Sequence, residues 1–460
     1  MKLRYNIWLV LGIMLLSVGF TACENDDDSS DSTPIVVTAV YLEDADSSVP
    51  DREVTFIRKG QVMRIEGSGF KGMKRIYVNG HNNYFNPVYV SGNSMLLQVD
   101  KETPVIDADP EERNTIHFVK SGTELVYSFA IRDAAPTITR ISHTLPLPGE
   151  TITIYGTGLS ETTKVVFPGN VVVTDGIVSD EEGKYIQVAM PDNLTESGSL
   201  FVECANGGAY SPAYFNFKAG VILDFDGLGT QGYWGWSAAG SMINKDDLES
   251  AVIGTGNLSQ GFYCAHRPSR LTEFAQGKNR LTEVWTAGND VDDWRGQLIP
   301  YIPATTPVSQ VAFQFDIYVP NEWVNTGFLK ICLYNGFNGG EWSKDAYNYV
   351  PWIVEKEVVP FKTEGWTTVT IPFSKFYSFS DTEKTFTFEN VLVTREDAQW
   401  RNFGFYFENS DFKLSNVTGS SADETEFPSS PTSVSVYTDN WRVVSLNTPT
   451  YSDFPEDDGQ

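Results

Sequence analysis

Ten of the 11 tryptophans in this 460-residue chain lie between Trp234 and Trp441. Several of these stand in or beside polar, glycine-containing segments, where a residue of the hydrophobic core is not expected. A large flat ring at a polar surface is suited to stack against the apolar face of a sugar ring. The rings that the sequence predicts to do this are Trp285, Trp294, Trp342 and Trp352.

Side chains that can hydrogen-bond to sugar hydroxyls precede Trp342. Asn335, Asn338 and Glu341 lie in the same glycine-rich segment, and their amide and carboxylate groups are suitable hydroxyl partners. Each aromatic contact is expected to contribute about 1–3 kcal/mol, as on other stacking platforms. These three residues and the four tryptophans form the predicted polysaccharide-binding site, whereas Trp366 and Trp441 stand in strand-like segments and are predicted to be core.

The acidic residues do not indicate catalysis. A glycoside hydrolase needs two carboxyl groups held about 5–10 Å apart. No spacing singles out such a pair among the candidates, which are Asp292, Asp293, Glu341 and Glu357. We therefore interpret the chain as a non-catalytic binding protein, with a lipid-anchored glycoside hydrolase as the alternative.

Metal-binding patterns are weak. The four histidines are scattered, and no cysteine pair has the close spacing of a zinc site. Asp224 and Asp226 in one predicted strand and Asp439 in another have the oxygen ligands that Ca²⁺ prefers, although solvated carboxylates are the commoner case. We expect no catalytic metal and no cofactor, with a structural calcium ion as an alternative to solvated carboxylates.

The charge of the chain excludes one class of partner. The sequence has 33 Lys and Arg residues against 60 Asp and Glu residues, a formal net charge of −27. Phosphate backbones and anionic lipid surfaces would be repelled, so nucleic acid is not an expected partner. An uncharged polysaccharide meets no such repulsion.

The N-terminus has the pattern of a targeting segment. A positive start, Met1–Arg4, and an apolar run up to Phe20 precede Thr21-Ala22-Cys23, which resembles a bacterial lipobox. That resemblance implies removal of residues 1–22, acylation of Cys23 and an acidic tether over residues 23–33, which is similar to the export signal of Bacteroidetes surface lipoproteins. It implies a protein anchored by lipid in the cell outer membrane and facing the exterior.

Three cysteines remain after Cys23. Cys264 and Cys332 lie in the same C-terminal region, and Cys204 lies before it. A disulfide between Cys264 and Cys332 and buried thiols are the two alternatives.

Short alternating strand patterns with frequent turn residues predict an all-β protein. Gly67-Ser68-Gly69-Phe70 and Gly156-Thr157-Gly158-Leu159 occupy equivalent places in two successive sets of strands. A repeat of about 90–100 residues built in this way is typical of tandem immunoglobulin-like sandwiches. We assign these sandwiches to residues 34–133 and 134–219, with hinges at 133–136 and 218–220.

Two segments make the second repeat more specific. Residues 135–141, Ala-Pro-Thr-Ile-Thr-Arg-Ile, and residues 149–159, Gly-Glu-Thr-Ile-Thr-Ile-Tyr-Gly-Thr-Gly-Leu, resemble an IPT/TIG domain. The first copy departs from the pattern by an insertion between Glu43 and Lys59. Membership implies a role as a spacer or an interaction module, and a third interpretation is an adhesin that acts through these repeats.

The third module is predicted at residues 220–448, followed by a tail at 449–460. Phe313, Phe315 and Ile317 alternate with polar or small neighbours, as expected of one sheet that faces another. We expect a larger jelly-roll-type β-sandwich. Its opening and closing strands, together with residues 365–373, resemble the β-sandwich of a carbohydrate-binding module.

The lipobox, acidic tether, tandem repeats and aromatic last module together resemble a surface glycan-binding protein, of the B type, from a Bacteroidetes polysaccharide-utilisation locus. The resemblance implies non-catalytic capture of xyloglucan or a related β-glucan. It also implies delivery of the glycan to an outer-membrane importer complex, with the IPT/TIG pair as a stalk.

Overall fold

The computed structural model describes residues 32–43, 52–227, 231–232, 243, 247–271, 281–286, 293–334, 346–428 and 430–453. The chain divides into two compact units, residues 1–134 and 135–460. Within the described residues, no helix combines the length and the apolar composition needed to cross a membrane. The predicted leader, Cys23 and most of the acidic tether lie outside the described residues.

The first unit is a β-sandwich. Its sheets run β2-β1-β4-β7 and β6-β5-β8-β9, and β10 pairs in parallel with β3. Apolar side chains that alternate along these strands, such as Ile65, Ile76 and Phe118, are fully buried between the sheets. The strands are β1 (Val36–Glu43), β2 (Arg52–Glu53), β3 (Phe56–Arg58), β4 (Val62–Ser68), β5 (Met73–Val78), β6 (His81–Asn83), β7 (Ser94–Gln98), β8 (Thr115–Lys120), β9 (Thr123–Ser128) and β10 (Ala130–Arg132).

The second sandwich begins the second unit and repeats this plan. Its sheets run β11-β12-β16-β15 and β14-β13-β17-β18. The strands are β11 (Thr137–Ile141), β12 (Thr151–Thr157), β13 (Lys164–Phe167), β14 (Val171–Val173), β15 (Val178–Ser179), β16 (Tyr185–Ala189), β17 (Phe201–Cys204) and β18 (Gly207–Tyr210).

The repeated motif requires glycine for the same structural reasons in both sandwiches. The opening strand bulges where it crosses the motif, between Val37 and Ala39 in the first copy and between Ile138 and Arg140 in the second. A Cβ on Gly67 would lie 1.8 Å from the carbonyl oxygen of Val36, and a Cβ on Gly156 would lie equally close to that of Thr137. The second glycine of each motif has a positive φ, 78° at Gly69 and 68° at Gly158. Each motif therefore needs one glycine for close approach and one for its turn.

We expect Gly67→Ala to destabilise the first sandwich by about 2–4 kcal/mol, because the added methyl group cannot fit without moving the bulged strand. Urea denaturation of the protein measures this loss. Gly92→Ala is the matched control, since a Cβ on Gly92 meets nothing within 4 Å. Equal stability of the two variants would contradict the close-approach explanation.

The third sandwich packs two sheets face to face. The back sheet runs β19-β32-β23-β28, with β21 also paired to β32, and the front sheet runs β20-β22-β29-β24-β25. The strands are β19 (Val221–Leu223), β20 (Gln231–Gly232), β21 (Cys264–His266), β22 (Leu281–Thr286), β23 (Val311–Tyr318), β24 (Phe328–Cys332), β25 (Ala346–Tyr349), β26 (Ile353–Val354), β27 (Glu357–Val358), β28 (Thr367–Pro372), β29 (Gly404–Glu408), β30 (Phe412–Lys413), β31 (Glu426–Phe427) and β32 (Val436–Ser445).

Short helices lie at the margins of this sandwich. They are α1 (Pro268–Leu271), α2 (Trp294–Leu298), α3 (Phe388–Asp397) and α4 (Ser415–Thr418), with 3₁₀ turns at Lys218–Gly220, Val308–Gln310, Phe373–Lys375 and Tyr377–Phe379. The all-β architecture of two immunoglobulin-like sandwiches and a larger jelly-roll-type sandwich is confirmed.

The core of the third sandwich is centred on Trp441. Its indole stacks on Phe315 of the back sheet and on Phe405 of the front sheet, with ring centroids 4.2 Å apart in both contacts. Trp441 is fully buried and Trp366 is 2% exposed, which confirms the prediction that both are core residues. The stack joins the two sheets directly.

The second and third sandwiches share buried surface. Ala312 and Val444, at one end of the back sheet, belong to the hydrophobic core of the second sandwich. The backbone N–H of Thr368 donates to the carbonyl of Ser142 over 2.7 Å. The 3₁₀ turn Lys218–Gly220 ends in the buried Gly220, so this predicted hinge is a packed connection.

Charged side chains are buried at the same junction. His143 and Glu150 of the second sandwich meet Asp316 and Arg442 of the third, and we name these four residues the junction cluster. Arg442 Nη2 lies 2.9 Å from Asp316 Oδ1, and His143 Nε2 lies 3.4 Å from Asp316 Oδ2. His143, Asp316 and Arg442 are each at most 1% exposed. Arg442 also donates to Thr144, which joins the two sandwiches by hydrogen bonding.

Mutual pairing sets the protonation states in the junction cluster. Burial opposes the charged imidazolium of His143, but the carboxylates of Asp316 and Glu150 outweigh it and raise the pKa to about 9. Burial also opposes the charge on Asp316, but Arg442 and His143 outweigh it and hold the pKa of that carboxyl well below its usual range. The cluster is therefore charged at neutral pH.

We expect the Tm of the protein to fall as the pH rises from 6.5 to about 9. The folded-state pKa of His143 lies above its ordinary value of 6.5, so the stabilisation is complete below pH 6.5 and is lost as pH passes 9. The full loss is on the order of 3 kcal/mol. Calorimetry of His143→Gln should show a weaker pH dependence, whereas His117→Gln, in the first sandwich, serves as the control and should keep it. An unchanged pH profile in His143→Gln would contradict this role.

Candidate functional site

The outer face of the front sheet is the candidate site. Alternation along β22, β29, β24 and β25 sends one set of side chains into the core and the other set outwards. Register places Tyr406, Lys330 and Asn348 in one outward row, and Gly404, Cys332 and Ala346 in the next. Phe328 and Glu408 form a third row. The aromatic residues of this face, Tyr406 and Phe328, are buried, whereas Lys330 and Glu408 stay partly exposed.

Trp285 lies on this face but is not an open platform. Its exposed fraction is 1%, and it packs with Tyr406 and Cys332 in a separate small cluster. A Cβ on Gly404 would lie 2.1 Å from Cε3 of the indole, so the ring rests on the backbone of β29. Its Nε1 donates to Glu283 over 2.7 Å. The prediction that this ring is exposed is wrong, because Gly404, its pairing partner on the neighbouring strand β29, has no side chain and leaves room for the indole.

The prediction for Trp294 is also wrong. Asp293 caps α2 by accepting a hydrogen bond from the backbone N–H of Gly296, so Trp294 begins a helix instead of lying at a loop tip. The ring is 2% exposed and packs edge-on against Phe313. The guanidinium of Arg395 lies 3.4 Å from the ring centroid. Asp293 as a helix N-cap, with Leu298 one turn after Trp294, was the sequence signal for burial.

Trp352 is fully buried, which makes it the third incorrect prediction. The sequence interpretation extended the alternation of β25 to this residue, but the strand ends at Tyr349 and the chain turns. The indole Nε1 then donates to the carbonyl of Gly327 over 3.0 Å, and the ring packs edge-on against Phe412 and Phe427. Because the chain turns between Tyr349 and Trp352, the ring of Trp352 is buried and does not point to solvent.

The remaining predicted site residues lie outside the described residues. They are Asn335, Asn338, Glu341 and Trp342. The described chain reaches their segment from β24, which ends at Cys332, and leaves it into β25, which begins at Ala346. Cys332 and Ala346 are paired neighbours in the front sheet. The role of these four residues in binding stays a prediction.

A cleft of about 1040 Å³ opens beside β25, the edge strand of the front sheet. We name it the edge cleft. Its walls come from Phe328 and Lys330 of β24, from β25, and from the segments 307–309, 374–386 and 408–419. The volume is at the upper end of the roughly 300–1,000 Å³ typical of ligand pockets.

A partly buried ion pair lies in the edge cleft. Lys330 Nζ is 3.3 Å from Glu408 Oε2, and the two side chains are 14% and 12% exposed. The Ser410 hydroxyl donates to the other oxygen of Glu408. An ammonium and a carboxylate each retain further hydrogen-bonding capacity in such an arrangement. The pair can therefore serve polar groups of a ligand.

An aromatic ring stands at the wall of the edge cleft. Tyr377 is 67% exposed, although its neighbours Phe376 and Phe379 are buried. Phe379 packs edge-on against Phe386 at 5.5 Å, which anchors the 3₁₀ turn that presents Tyr377. Sequence reasoning missed Tyr377, Lys330 and Glu408, because it searched for tryptophan. The sequence Phe376-Tyr377-Ser378-Phe379 offered one signal, a polar-tipped ring between two apolar anchors.

The three described cysteines and Asp439 are buried. Cys204, Cys264 and Cys332 are all buried thiols, as one of the two alternatives proposed, and burial raises the pKa of Cys264. Asp439 is 1% exposed and accepts a hydrogen bond from Ser259. Across the described ranges, no group of three or more His, Cys, Asp or Glu side chains is arranged to hold a metal ion. The structural calcium ion stays a prediction.

Known proteins resemble parts of the chain. A relative from Bacteroides ovatus, described as an IPT/TIG domain-containing protein, is 29% identical over 213 residues, which are 44% of this chain and 42% of that protein. Cyclomaltodextrin glucanotransferase of Niallia circulans is 30% identical over 97 residues, which are 21% of this chain and 13% of the enzyme. The chain thus spans less than half the length of either relative.

The fold is shared with a solved structure. Surface glycan-binding protein PbSGBP-B from Prevotella bryantii superposes with a TM-score of 0.60 at 17% identity, over 91% of this chain and 100% of that one. Residues 215–445, which contain the third sandwich, match the family model described as the xyloglucan-binding domain of surface glycan-binding protein B. Because that match covers half of the sequence and confirms the resemblance, the chain belongs to the surface glycan-binding protein B family.

Proposed function

We propose that this protein binds a neutral plant or microbial polysaccharide through its third sandwich, with xyloglucan or a related β-glucan as the favoured ligand. The observation that supports this most strongly is the family match over residues 215–445. It coincides with the module that contains the edge cleft, which is lined by the exposed Tyr377 and by the Lys330–Glu408 pair. The net charge of −27 fits an uncharged polymer better than an anionic one.

Binding without catalysis is the function that the described carboxylates favour. Of the hydrolase candidates in the described ranges, Asp293 caps α2 and Glu357 lies exposed in the hairpin of β26 and β27. Neither lines the edge cleft. The same cleft holds Glu408 paired with Lys330, an arrangement suited to hydrogen bonding.

We also propose how the protein is anchored and where the captured polysaccharide goes. Acylation at Cys23 would hold the protein in the outer membrane on the exterior side, and the acidic tether would lead to the sandwiches. The two immunoglobulin-like sandwiches would act as spacers between the anchor and the glycan-binding module. The captured polysaccharide would pass to an outer-membrane importer complex.

Affinity electrophoresis tests the ligand class. We expect gels containing xyloglucan to retard the protein more than gels containing mannan or β-1,3-glucan, with mixed-linkage glucan intermediate. Retardation by none of these polymers would contradict the proposed function. In parallel, incubation with each polymer should release no reducing ends, and release above the level of the heat-denatured protein would support a hydrolase instead.

We expect Trp342→Ala to weaken polysaccharide binding about tenfold or more while leaving the Tm unchanged, because loss of one stacking contact costs about 1–3 kcal/mol. Isothermal titration calorimetry and a thermal melt measure the two quantities. Trp352→Ala is the contrasting variant, since it removes a fully buried ring and should lower stability by about 3–5 kcal/mol. Unchanged binding in Trp342→Ala would remove this residue from the site.

A further inference from the structure

We propose that a groove between the second and third sandwiches binds an extended acidic segment of a partner protein, which adds a strand to the edge of β28. The groove has a volume of about 490 Å³, and its walls include Thr139 and Arg140 of β11 and residues 367–370 of β28. We name it the junction groove. It shares no described lining residue with the edge cleft, so this inference does not depend on the proposed function.

The two strands that flank the junction groove are edge strands. β28 ends the back sheet, and β11 ends one sheet of the second sandwich. Native sheets protect their edges with bulges, charged side chains or proline. β11 carries a bulge between Ile138 and Arg140, whereas β28 has no charged residue and has proline only at its last position. The edge of β28 is therefore the better template for an added strand.

The backbone of β28 begins a pairing at this edge. The N–H of Thr368 donates to the carbonyl of Ser142 over 2.7 Å, so it points away from β23. Alternate residues of a strand point the same way, which directs the N–H and C=O of Thr370 into the junction groove. No described residue outside β23 hydrogen-bonds to that backbone. An incoming strand can therefore continue the pairing that Ser142 starts.

The walls of the junction groove determine which side chains the added strand needs. Tyr349, Phe361 and Val369 line it and pack, half-buried, against the core of the third sandwich. Thr370 points to the opposite face of β28, where its hydroxyl accepts a hydrogen bond from Gln314. Because side chains alternate along a strand, one set on the ligand would contact the apolar wall and the other would face the second sandwich.

Arg140 favours a carboxylate in that second set. It is the only charged side chain among the described residues that line the junction groove. Its guanidinium lies 3.8 Å from the centroid of the Tyr155 ring, and no described carboxylate lies within ion-pair distance of it. A guanidinium held on an aromatic ring still has its N–H donors for a carboxylate. Alternating apolar and acidic side chains therefore suit this groove.

Fluorescence anisotropy of the full chain with a labelled, end-capped peptide of alternating valine and glutamate tests this inference. We expect saturable binding. Methylation of alternate backbone nitrogens of the peptide, in at least one of the two possible sets, should raise the Kd about tenfold or more, because it removes the donors to β28. Arg140→Gln should weaken binding about fivefold and leave binding of the valine–glutamine peptide unchanged. Thr370→Pro, which removes an outward N–H, should weaken binding of both peptides.

Arg75→Gln is the matched control, because it removes the same charge from an exposed arginine that does not line the junction groove. It should bind the peptide as the wild type does, and thermal melts identify any variant that fails to fold. A wild type without saturable binding would overturn the proposal, as would a folded Arg140→Gln variant of unchanged affinity or full tolerance of both methylation sets. Displacement of the peptide by a neutral β-glucan oligosaccharide would assign the groove to glycan and also overturn it.

Discussion

The stack of Phe315, Trp441 and Phe405 joins the two sheets of the third sandwich. Phe315 on the back sheet and Phe405 on the front sheet both stack on the indole of Trp441, with ring centroids 4.2 Å apart in each contact. Aromatic side chains bury large areas and contribute most to such interfaces. Because Phe405 points into the core, its neighbours Tyr406 and Gly404 point away from it. Lys330 and Asn348, which lie beside Tyr406 on the next two strands, point in the same direction as Tyr406. The core stack thus fixes which side chains of the front sheet point away from the core.

The second sandwich is structurally part of the glycan-binding unit. Ala312 and Val444 of the third sandwich pack in the core of the second sandwich. The junction cluster buries opposite charges between the two. A buried charge that loses its partner is strongly destabilising, so separating these sandwiches would be costly. A rigid connection here means that the orientation of the front sheet is defined relative to the second sandwich.

The tryptophan-rich composition carries two kinds of information. Trp285, Trp294 and Trp352 all have polar or glycine neighbours in sequence, yet each ring is buried. The indole N–H groups of Trp285 and Trp352 are hydrogen-bonded, and the ring of Trp294 packs between Phe313 and the guanidinium of Arg395. Most of the described tryptophans thus build an aromatic core, whereas the sequence had predicted only Trp366 and Trp441 to lie there. The edge cleft is lined by a lysine, a glutamate and a tyrosine, residue types too common to stand out in a sequence.

The sequence by itself determined the all-β class, the repeated sandwiches and the family, because these depend on local alternation, turn residues and motifs such as the two glycine pairs. It also distinguished Trp366 and Trp441 as core residues. The tertiary structure decided which other rings are buried and where the cleft lies. Those outcomes depend on contacts between residues far apart in sequence, such as Trp285 with Gly404 and Lys330 with Glu408, which no local pattern contains.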